Sequence, residues 1–315
     1  MAKSSPLAKT MAPPTGGVRF APSPTGRFHI GNLRTAWISY QFAQALKLPW
    51  IVRFEDIDRP RVVEGAQDQQ LEDMRELGLE PDTILLQSQF AIRHWQLLIR
   101  GIKGGHIYAC DCSRKEVQTA LAGIASAPHG GDDPVYSGAC RRRKHSLLQA
   151  QDTIAWRFRM PHDSGRDDFI VSRSSSELDK NGFPGILTTT PAYHWACAID
   201  DYDGAYDVIV RSSDLKLAAL TQRAIQAWIA YIDGKPFQPP AVFHTSLIVQ
   251  NDGHRLEKRT QGVTLSELNA AKYSNDNLIR LFAKSFDRTL LQIPFGPKGL
   301  GEEAQSQISL QELGL

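Results

Sequence analysis

The sequence predicts an α/β fold built around a parallel sheet, and the prediction rests on three consecutive segments near the N-terminus. Residues 18–21 form a short apolar run typical of a strand, and Trp50–Phe54 has the same character. Between them, apolar residues at the spacing of one buried helix face predict a helix from about Ile30 to Leu46: Leu33, Ala36, Trp37, Tyr40 and Ala43. A strand, a helix and a strand in this order form a βαβ unit, in which the two strands are parallel.

The turn between the first strand and the helix has the sequence PSPTGRFHIGN and predicts a phosphate site. Pro22 and Pro24 fix their own φ angles and stiffen the turn. The helix begins near Ile30, where unpaired backbone N–H groups and the positive end of the helix dipole attract an anion. Gly31 lacks a Cβ, so a nucleotide can approach the backbone closely, and His29 can add a hydrogen-bond donor.

An acidic segment, residues 55–58 (EDID), follows the second predicted strand. Ligands of open parallel sheets bind at the carboxyl ends of the strands. We therefore expect this segment and residues 23–29 to meet in one crevice.

The composition is that of a globular protein with a large core: 315 residues, of which 42% are apolar. The 36 basic and 34 acidic residues nearly balance, so no overall positive field indicates nucleic acid binding, and any RNA contact would have to come from a local patch such as residues 141–144 (RRRK). No apolar stretch has membrane-spanning length, and residues 1–16 lack the apolar core of a signal peptide. We interpret residues 1–16 as a disordered leader and expect a cytoplasmic protein.

Three of the four cysteines lie in a turn-rich region that interrupts the alternation of strands and helices. Cys110 and Cys112 are separated by one residue, and Cys140 follows in the same region. Disulfides are rare in the cytoplasm, so clustered thiols favour a zinc site, which needs four tetrahedral ligands. The pattern leaves the fourth ligand open between His129 and His145, and three unligated thiols on a surface loop are the alternative.

A second apolar run, residues 193–199 (YHWACAI), predicts a buried strand that ends at two carboxylates, Asp200 and Asp201. Cys197, within this run, is interpreted as a small core residue. Residues 206–210 predict a further strand at the next position along the chain.

Two helical regions are predicted toward the C-terminus. Residues 215–229 have apolar residues at helical spacing. Thr264 and Glu267 fit a capping box, and one or two helices are expected from there to Phe286.

The PSPTGRFHIGN segment resembles the signature of class I aminoacyl-tRNA synthetases, in the form P-S-P-T-G-x-[FL]-H-I-G of their glutamyl branch. The resemblance implies a Rossmann-like catalytic domain with helices on both faces of the parallel sheet. It also implies ATP as a substrate, with Mg²⁺, and a catalytic site that includes His29, Gly31 and Asn32. His29 and Gly31 are expected to contact ATP.

Two later segments resemble further elements of this family. Residues 193–201 resemble Y-[HQ]-L-A-x-x-x-D-D, and residues 209–215 resemble V-x-R-G-x-D-L. The resemblance implies that a bound glutamate contacts five residues: Arg19, Ser23, Glu55, Tyr193 and Arg211. Glu55 lies where the family contacts the substrate amino group, and Arg211 has the planar fork that can hold a carboxylate with two hydrogen bonds.

Residues 253–260 (GHRLEKRT) resemble the mobile K-[ML]-S-K-[SRQ] loop of the family, with residues 255–259 in register. The resemblance implies that Arg255 and Lys258 bind ATP and that Lys258 stabilises charge on the triphosphate. Without the resemblance, this segment is a charged loop. The chain departs from the family at Glu257, which is expected to repel the triphosphate, and at residues 212–213 (SS), where the family has a glycine.

A more specific resemblance is to the glutamyl-Q tRNA(Asp) synthetases of this family, which combine C-x-C with Y-x3-C. It implies that Tyr136 supplies the fourth ligand of one structural zinc ion per chain, beside Cys110, Cys112 and Cys140. The short remainder after residue 260 has no room for the anticodon-reading domain of a full glutamyl-tRNA synthetase, which favours the same assignment.

The implied reaction is activation of L-glutamate by ATP to glutamyl-adenylate, followed by transfer of glutamate to queuosine in the anticodon of tRNA(Asp). Two alternatives are a truncated glutamyl-tRNA synthetase that charges the tRNA 3′ end and a non-catalytic zinc-containing RNA-binding paralogue. We expect a monomer with no membrane partner.

The predicted organisation has a leader, a catalytic domain in two halves, an insertion and a C-terminal part. The boundaries are 1–16 for the leader, 17–106 and 191–250 for the catalytic halves, 107–190 for the zinc-containing insertion, and 251–315 for the mobile loop with a short helical region.

Overall fold

The computed structural model describes residues 15–112, 136, 138–142, 153–160, 167–254, 263–292 and 299–315. The chain divides into two compact units. The first comprises Met1–Gln89 and Ala198–Leu315, and the second comprises Phe90–Cys197.

The described residues form strands and helices with the following bounds. The strands are β1 (Val18–Phe20), β2 (Trp50–Phe54), β3 (Thr83–Leu86), β4 (Ile107–Cys110), β5 (Thr153–Phe158), β6 (Phe169–Ser175), β7 (Thr189–Pro191), β8 (Val208–Ser212), β9 (Ala241–Thr245), β10 (Leu247–Val249), β11 (Leu300–Glu302) and β12 (Gln307–Ser309). The α-helices are α1 (Ile30–Leu46), α2 (Ala66–Glu76), α3 (Ala91–Lys103), α4 (Tyr193–Asp203), α5 (Lys216–Ile232), α6 (Leu265–Ala270), α7 (Asn275–Lys284) and α8 (Leu310–Leu313).

A parallel sheet is the centre of the first unit. Among the described residues it has six strands in the order β11-β9-β8-β1-β2-β3, and every neighbouring pair is parallel. The predicted βαβ unit is confirmed: α1 has the expected bounds, and Val18 on β1 is in register with Trp50 on β2. The sheet order places the ends of β8, β1 and β2 side by side, and these strands precede the residues of the candidate site.

The core of the first unit joins the sheet to α1 and to the helices near the C-terminus. Phe42 on α1 lies 4.9 Å from Phe243 on β9, measured between ring centroids. Trp37 lies 6.1 Å from Phe282 and 6.2 Å from Phe286. One or two helices were expected up to Phe286, and the structure has two, α6 and α7, which complete this core.

The last described segment, residues 299–315, is part of the same fold. Its strand β11 extends the main sheet beside β9, and β12 pairs in parallel with β10. Glu303 forms an ion pair of 2.6 Å with Arg34 on α1, and both side chains are buried. The Glu303 carboxylate also accepts a 2.6 Å hydrogen bond from the backbone N–H of Ser246.

The predicted strand over residues 193–199 is wrong, because these residues begin helix α4. The whole stretch from Trp195 to Asp201 is buried. A helix that is buried on all sides needs no polar face, so this segment lacks the pattern of an amphipathic helix and is apolar up to the two aspartates. A short, fully buried apolar run does not separate strand from helix by its periodicity. The strand and the helix predicted after it are present. Strand β8 begins at Val208, two residues later than predicted, and helix α5 begins at Lys216, one residue later.

The second unit contains an antiparallel sheet in the order β4-β5-β6-β7. Helix α3 belongs to the same unit, and its buried residues include His94, Leu97 and Leu98. The carboxyl end of β4 leads into the first two cysteines of the predicted metal site.

Most of the predicted leader, residues 1–14, lies outside the described residues. Its described end is attached to the first unit, because Gly16 donates a 3.0 Å hydrogen bond to the Gly204 carbonyl and Gly17 donates one of 2.6 Å to Asp207. In the described part of the chain, no helix is long and apolar enough to cross a membrane.

Candidate active site and metal centre

Phosphate binding at the start of helix α1 stays a prediction, because the first backbone N–H groups of the helix, which were expected to be unpaired, have partners within the protein. The Ile30 N–H donates to the Val263 carbonyl at 2.9 Å. His29 is the N-cap residue, and its Nδ1 accepts a hydrogen bond of 3.1 Å from the backbone N–H of Gly31. Because Nδ1 is an acceptor, a neutral imidazole has its proton on Nε2, and that nitrogen is a donor. A Cβ on Gly31 would lie 3.0 Å from Cε1 of His29, which is tighter than an ordinary contact, so a larger residue here would displace the imidazole slightly.

The turn before α1 is fixed by contacts with neighbouring segments. Glu55 donates its backbone N–H to the Pro22 carbonyl at 2.9 Å, which joins the two segments expected to meet in a crevice. Gln70 on α2 donates to the carbonyl oxygens of Ser23 at 3.2 Å and Gly26 at 2.6 Å. These bonds hold the backbone of the turn while the Ser23 side chain is exposed.

A buried network of charges lies behind the turn. Arg19 on β1 and Arg53 on β2 share the carboxylate of Asp201, with contacts of 2.6 Å from Arg19 Nη2 and 2.7 Å from Arg53 Nη1. Arg53 also contacts Glu55 at 3.4 Å and Asp200 at 3.9 Å. Burial alone would raise the pKa of Asp201, but the two guanidinium groups hold it below its ordinary value. The network therefore fixes Glu55 and Arg19 relative to each other.

The other two carboxylates of the acidic segment have separate roles. Asp56 accepts hydrogen bonds from the backbone N–H and the hydroxyl of Ser88, at 2.8 and 2.6 Å. Asp58 is exposed and lies 3.5 Å from Arg61. Of this segment, Glu55 alone enters the buried charge network that the structure describes.

Arg211 lies near the end of β8 and is buried. Its Nη1 donates a 2.6 Å hydrogen bond to Gln222 on α5, and its Nε donates one of 3.3 Å to Nε2 of His244 on β9. The strands β8, β1 and β2 are neighbours, so Arg211, Ser23 and Glu55 follow adjacent strands at the same edge of the sheet.

Residues 212–213, where the family has a glycine, adopt a conformation that needs none. Ser212 has a φ of −68°, which any L-residue adopts. Ser213 donates a 2.7 Å hydrogen bond from its hydroxyl to the Ser306 carbonyl. The serines are thus accommodated by a contact with the C-terminal segment.

Several predicted site residues are not placed in this site. Tyr193 is the first residue of α4 and belongs to the second unit, so its contact with glutamate stays a prediction. The segment around Arg255, Glu257 and Lys258 lies outside the described residues, and its contacts with ATP stay predictions too.

Asn32 is in the first turn of α1, and its backbone N–H donates to the His29 carbonyl at 2.9 Å.

The three clustered cysteines come together in the second unit. The Sγ atoms of Cys110, Cys112 and Cys140 lie within 4.8 Å of one another. Tyr136 joins them: its hydroxyl lies 3.5 Å from Sγ of Cys110 and accepts a 2.8 Å hydrogen bond from the Cys140 backbone N–H. Cys197 is buried within α4 and is not a member of this cluster.

The surroundings of the cluster favour anionic sulfur at one position. Burial would raise the pKa of Cys110, but hydrogen bonds with Tyr136 and Arg157 hold it below its ordinary value. Burial and the contact with Cys140 raise the pKa of Cys112 to about 12. Arg157 lies over the Tyr136 ring, with its guanidinium carbon 3.7 Å from the ring centroid, and supplies positive charge beside the thiols.

Three sulfurs and one phenol oxygen are a donor set that fits zinc, which prefers soft thiolates in a closed four-coordinate site. A second oxygen is also close, because Asp111 Oδ1 lies 3.4 Å from Sγ of Cys140. His129 and His145, the candidates from spacing alone, lie outside the described residues.

The family described as "tRNA synthetases class I (E and Q), catalytic domain" matches residues 17–288. The glutamyl-Q tRNA(Asp) synthetase of Nocardia farcinica is 34% identical, over 89% of this chain and 88% of that protein. The chain belongs to this synthetase family. The protein of the same name from Deinococcus radiodurans is 34% identical, over 79% of this chain and 81% of that protein.

The fold is similar to that of a solved glutamate tRNA ligase. The crystal structure of a glutamate tRNA ligase from Elizabethkingia meningosepticum, in complex with its amino acid, has a TM-score of 0.60 and 21% sequence identity. It covers 95% of this chain and 68% of that one. The parallel sheet of the first unit is therefore that of a class I synthetase, and the protein is a ligase of the aminoacyl-tRNA synthetase type.

The sequence did not predict the buried residues that form hydrogen bonds with the predicted site residues. Arg53, Gln222 and His244 are buried and contact predicted site residues. A signal existed for Arg53, because an arginine within an otherwise apolar strand is almost always paired with a buried carboxylate. Gln222 and His244 had no comparable signal, because their importance depends on which strand and helix lie beside β8.

Proposed function

We propose that this protein activates L-glutamate with ATP and transfers the glutamyl group to queuosine in the anticodon of tRNA(Asp). The observation that supports this most strongly is the 34% identity to a glutamyl-Q tRNA(Asp) synthetase across 89% of the chain. The cysteine cluster with Tyr136 adds independent support, since it matches the C-x-C and Y-x3-C pattern of that group. We expect a cytoplasmic protein, because its proposed substrates are ATP, glutamate and tRNA, and we expect it to be a monomer.

In the first step, an oxygen of the glutamate α-carboxylate attacks the α-phosphorus of ATP. The bond from that phosphorus to the bridging oxygen breaks, and pyrophosphate leaves with its electron pair. No protein nucleophile is needed, so the protein contributes positioning and charge stabilisation. Mg²⁺ bound to ATP would neutralise part of the phosphate charge.

Residues at the carboxyl end of the sheet are suited to position the substrates and to stabilise charge. The N-terminus of α1 and Nε2 of His29 are suited to the phosphates of ATP, and Gly31 permits the close approach. Arg255 and Lys258, which lie outside the described residues, are proposed to bind the triphosphate as well. The positive charge of Arg211 is suited to a carboxylate of glutamate. The buried carboxylate of Glu55 is suited to its ammonium group.

In the second step, a hydroxyl of the queuosine cyclopentene-diol attacks the carbonyl carbon of glutamyl-adenylate. An ester bond forms, the bond from the carbonyl carbon to the phosphate oxygen breaks, and AMP leaves. The hydroxyl proton is released to solvent or to the leaving phosphate.

The test is incubation of the protein with ATP, radiolabelled glutamate and total tRNA, followed by mapping of the labelled nucleotide. We expect label in the anticodon of tRNA(Asp), and none in tRNA that lacks queuosine. Label at the 3′-terminal adenosine would support a truncated glutamyl-tRNA synthetase instead. Absence of both label and glutamate-dependent pyrophosphate exchange would support the non-catalytic RNA-binding alternative.

We also propose that the cluster holds one structural zinc ion, with Cys110, Cys112, Tyr136 and Cys140 as ligands. Four protein ligands would close the coordination sphere, so the metal would stabilise this region and take no part in the reaction. Its binding energy would help order the glycine-rich insertion, whose sequence has few apolar residues of its own. Arg141 next to the cluster contacts Asp168 at 3.5 Å, so part of the basic run at 141–144 is engaged within the protein.

A further inference from the structure

Arg157 on β5 is a buried cation that forms no ion pair with a carboxylate of the described residues. Only 7% of the residue is exposed. Its Nη1 donates to the backbone carbonyl of Asp168 at 3.2 Å, and its Nε has no hydrogen-bond partner in the described part of the chain. A buried arginine is almost always paired with an anion, so the charge of Arg157 requires a partner of another kind.

The side-chain carboxylate of Asp168 is engaged by other groups. It accepts hydrogen bonds from the Tyr108 hydroxyl and from the Met160 backbone N–H, both at 2.7 Å. It also lies 3.5 Å from Nε of Arg141. The cation that this carboxylate balances is therefore Arg141, and Arg157 receives only the backbone oxygen of Asp168.

The pairing of β4 with β5 places Arg157 beside the cysteine cluster. Tyr108 is opposite Arg157, and Cys110 is opposite Ala155. Residues two apart on a strand share a face of the sheet, so these four side chains lie on one face. The guanidinium carbon of Arg157 is 3.7 Å from the centroid of the Tyr136 ring, whose hydroxyl is 3.5 Å from Sγ of Cys110. Arg157 also forms a side-chain hydrogen bond with Cys110.

A zinc ion in this cluster would form an anionic centre. Zinc binds cysteine as thiolate, and the three thiolates together have more negative charge than Zn²⁺ has positive charge. Asp111 adds a carboxylate, whose Oδ1 is 3.4 Å from Sγ of Cys140. Net charge away from water is costly unless an opposite charge lies close to it. A guanidinium group, which is weakly hydrated and permanently charged, is suited to this position.

We propose that Arg157 is the counter-ion of the zinc–thiolate centre, so that the metal centre and the guanidinium group stabilise each other. A guanidinium group has donors and no acceptor, so Arg157 acts through the ligands Cys110 and Tyr136 and does not bind the metal itself. The inference rests on the proposed zinc site. It accounts both for an arginine buried without a carboxylate and for three sulfurs within 4.8 Å of one another.

Arg159 provides a comparison, because it also stacks on a tyrosine ring. Its guanidinium carbon is 4.7 Å from the centroid of the Tyr108 ring, and its Nε donates to the Gly105 carbonyl at 3.0 Å. Tyr108 is not among the proposed ligands of zinc. Stacking on tyrosine is thus common to Arg157 and Arg159, whereas the contact with proposed zinc ligands belongs to Arg157.

The principal test is the affinity for Zn²⁺, measured by competition with a chromophoric chelator. Arg157→Gln removes the charge and keeps a donor for the Asp168 carbonyl, and it is expected to weaken zinc binding at least about tenfold. Arg157→Met is a second neutral variant with the same expected result. Arg157→Lys keeps a positive charge and is expected to bind zinc more tightly than either. Arg159→Gln is the matched control and is expected to leave the affinity unchanged.

Replacement of zinc by Co²⁺ tests whether the ligands themselves are retained. The intensity of the thiolate-to-cobalt charge-transfer absorption reports how many sulfurs bind the metal. Equal intensities at saturation are expected in wild type and Arg157→Gln, because this variant loses a charge and no ligand. A lower intensity in Arg157→Gln would mean that Arg157 shapes the cluster, and it would overturn the inference.

Thermal unfolding gives a further readout that does not need activity. Coupling between two groups is reciprocal, so zinc is expected to raise the Tm of wild type more than the Tm of Arg157→Gln or Arg157→Met. Equal rises in Tm, or equal zinc affinities of wild type and the neutral variants, would overturn the inference alone and leave the zinc site standing. Wild-type protein that takes up no zinc would refute the zinc site and the inference together.

Discussion

Arg19 and Asp201 form a bidentate ion pair in the buried interior of the first unit. Nε of Arg19 lies 3.0 Å from Oδ1 of Asp201, and Nη2 lies 2.6 Å from Oδ2. Arg53 binds the same carboxylate and also reaches Glu55. One aspartate of α4 thus links the ends of β1 and β2, which are the strands that precede Ser23 and Glu55.

Asp201→Asn is expected to lower the free energy of unfolding by about 3–5 kcal/mol, because two buried guanidinium groups lose their shared counter-charge. Urea-induced unfolding measures this change. The control is Asp58→Asn, which removes the exposed partner of Arg61 and is expected to cost less than about 1 kcal/mol. Equal effects of the two variants would mean that the buried network contributes no more than a surface pair.

His29 has a structural role as N-cap and a proposed role as a donor to ATP, and two substitutions separate them. His29→Ala should lower the free energy of unfolding by about 1 kcal/mol, since the Gly31 N–H loses its acceptor. His29→Asn should restore this stability, because asparagine is a strong N-cap. Pyrophosphate exchange is expected to fall at least about tenfold in both variants. Full exchange in His29→Asn would show that His29 acts only as the cap.

The stability of the protein is expected to depend on pH through His244. Its folded-state pKa of about 4 lies below the ordinary value, so the unfolded chain binds the extra proton first as the pH falls. The contribution of the neutral ring is complete above about pH 6.5 and is lost as the pH decreases toward 4, by up to about 3 kcal/mol. Urea unfolding of wild type and His244→Gln across this range measures it, because other titrating groups cancel in the difference. Parallel profiles would contradict the expectation.

Purified protein is expected to contain about one zinc ion per chain, and Cys110→Ser should lose it. Cys197→Ser should retain the metal, because Cys197 is buried in α4 and is not a member of the cluster. Elemental analysis of protein purified without chelator decides the point. Zinc-free wild type, or loss of zinc only in Cys197→Ser, would contradict the proposed site.

Tyr136→Phe addresses the fourth ligand separately. Removal of the hydroxyl leaves the ring under Arg157 and takes away one oxygen donor, so zinc should dissociate faster in a chelator competition assay. Unchanged release would point to another oxygen, and the nearby carboxylate of Asp111 is the first candidate.

The segments with a local signal were predicted well. The helix Ile30–Leu46 and the strand Trp50–Phe54 have the expected bounds, since their apolar spacing and the turns between them are local properties. The capping box at Thr264 and Glu267 is confirmed for the same reason. The helix α4 was mistaken for a strand because both of its faces are buried, and that burial is a property of the packed protein.

The sequence by itself determined the local features of this protein: the stiff turn before α1, the His29 and Gly31 pair at the helix start, and the spacing of the cysteines. These depend on residues close together in the chain, where steric and hydrogen-bonding preferences act directly. Only the tertiary structure decided which acceptors hold Arg211, how Asp201 joins Arg19 to Arg53, and that residues 299–315 extend the main sheet. Those contacts join residues far apart in sequence, and their energy comes from burial and sheet order that exist only after the chain has folded.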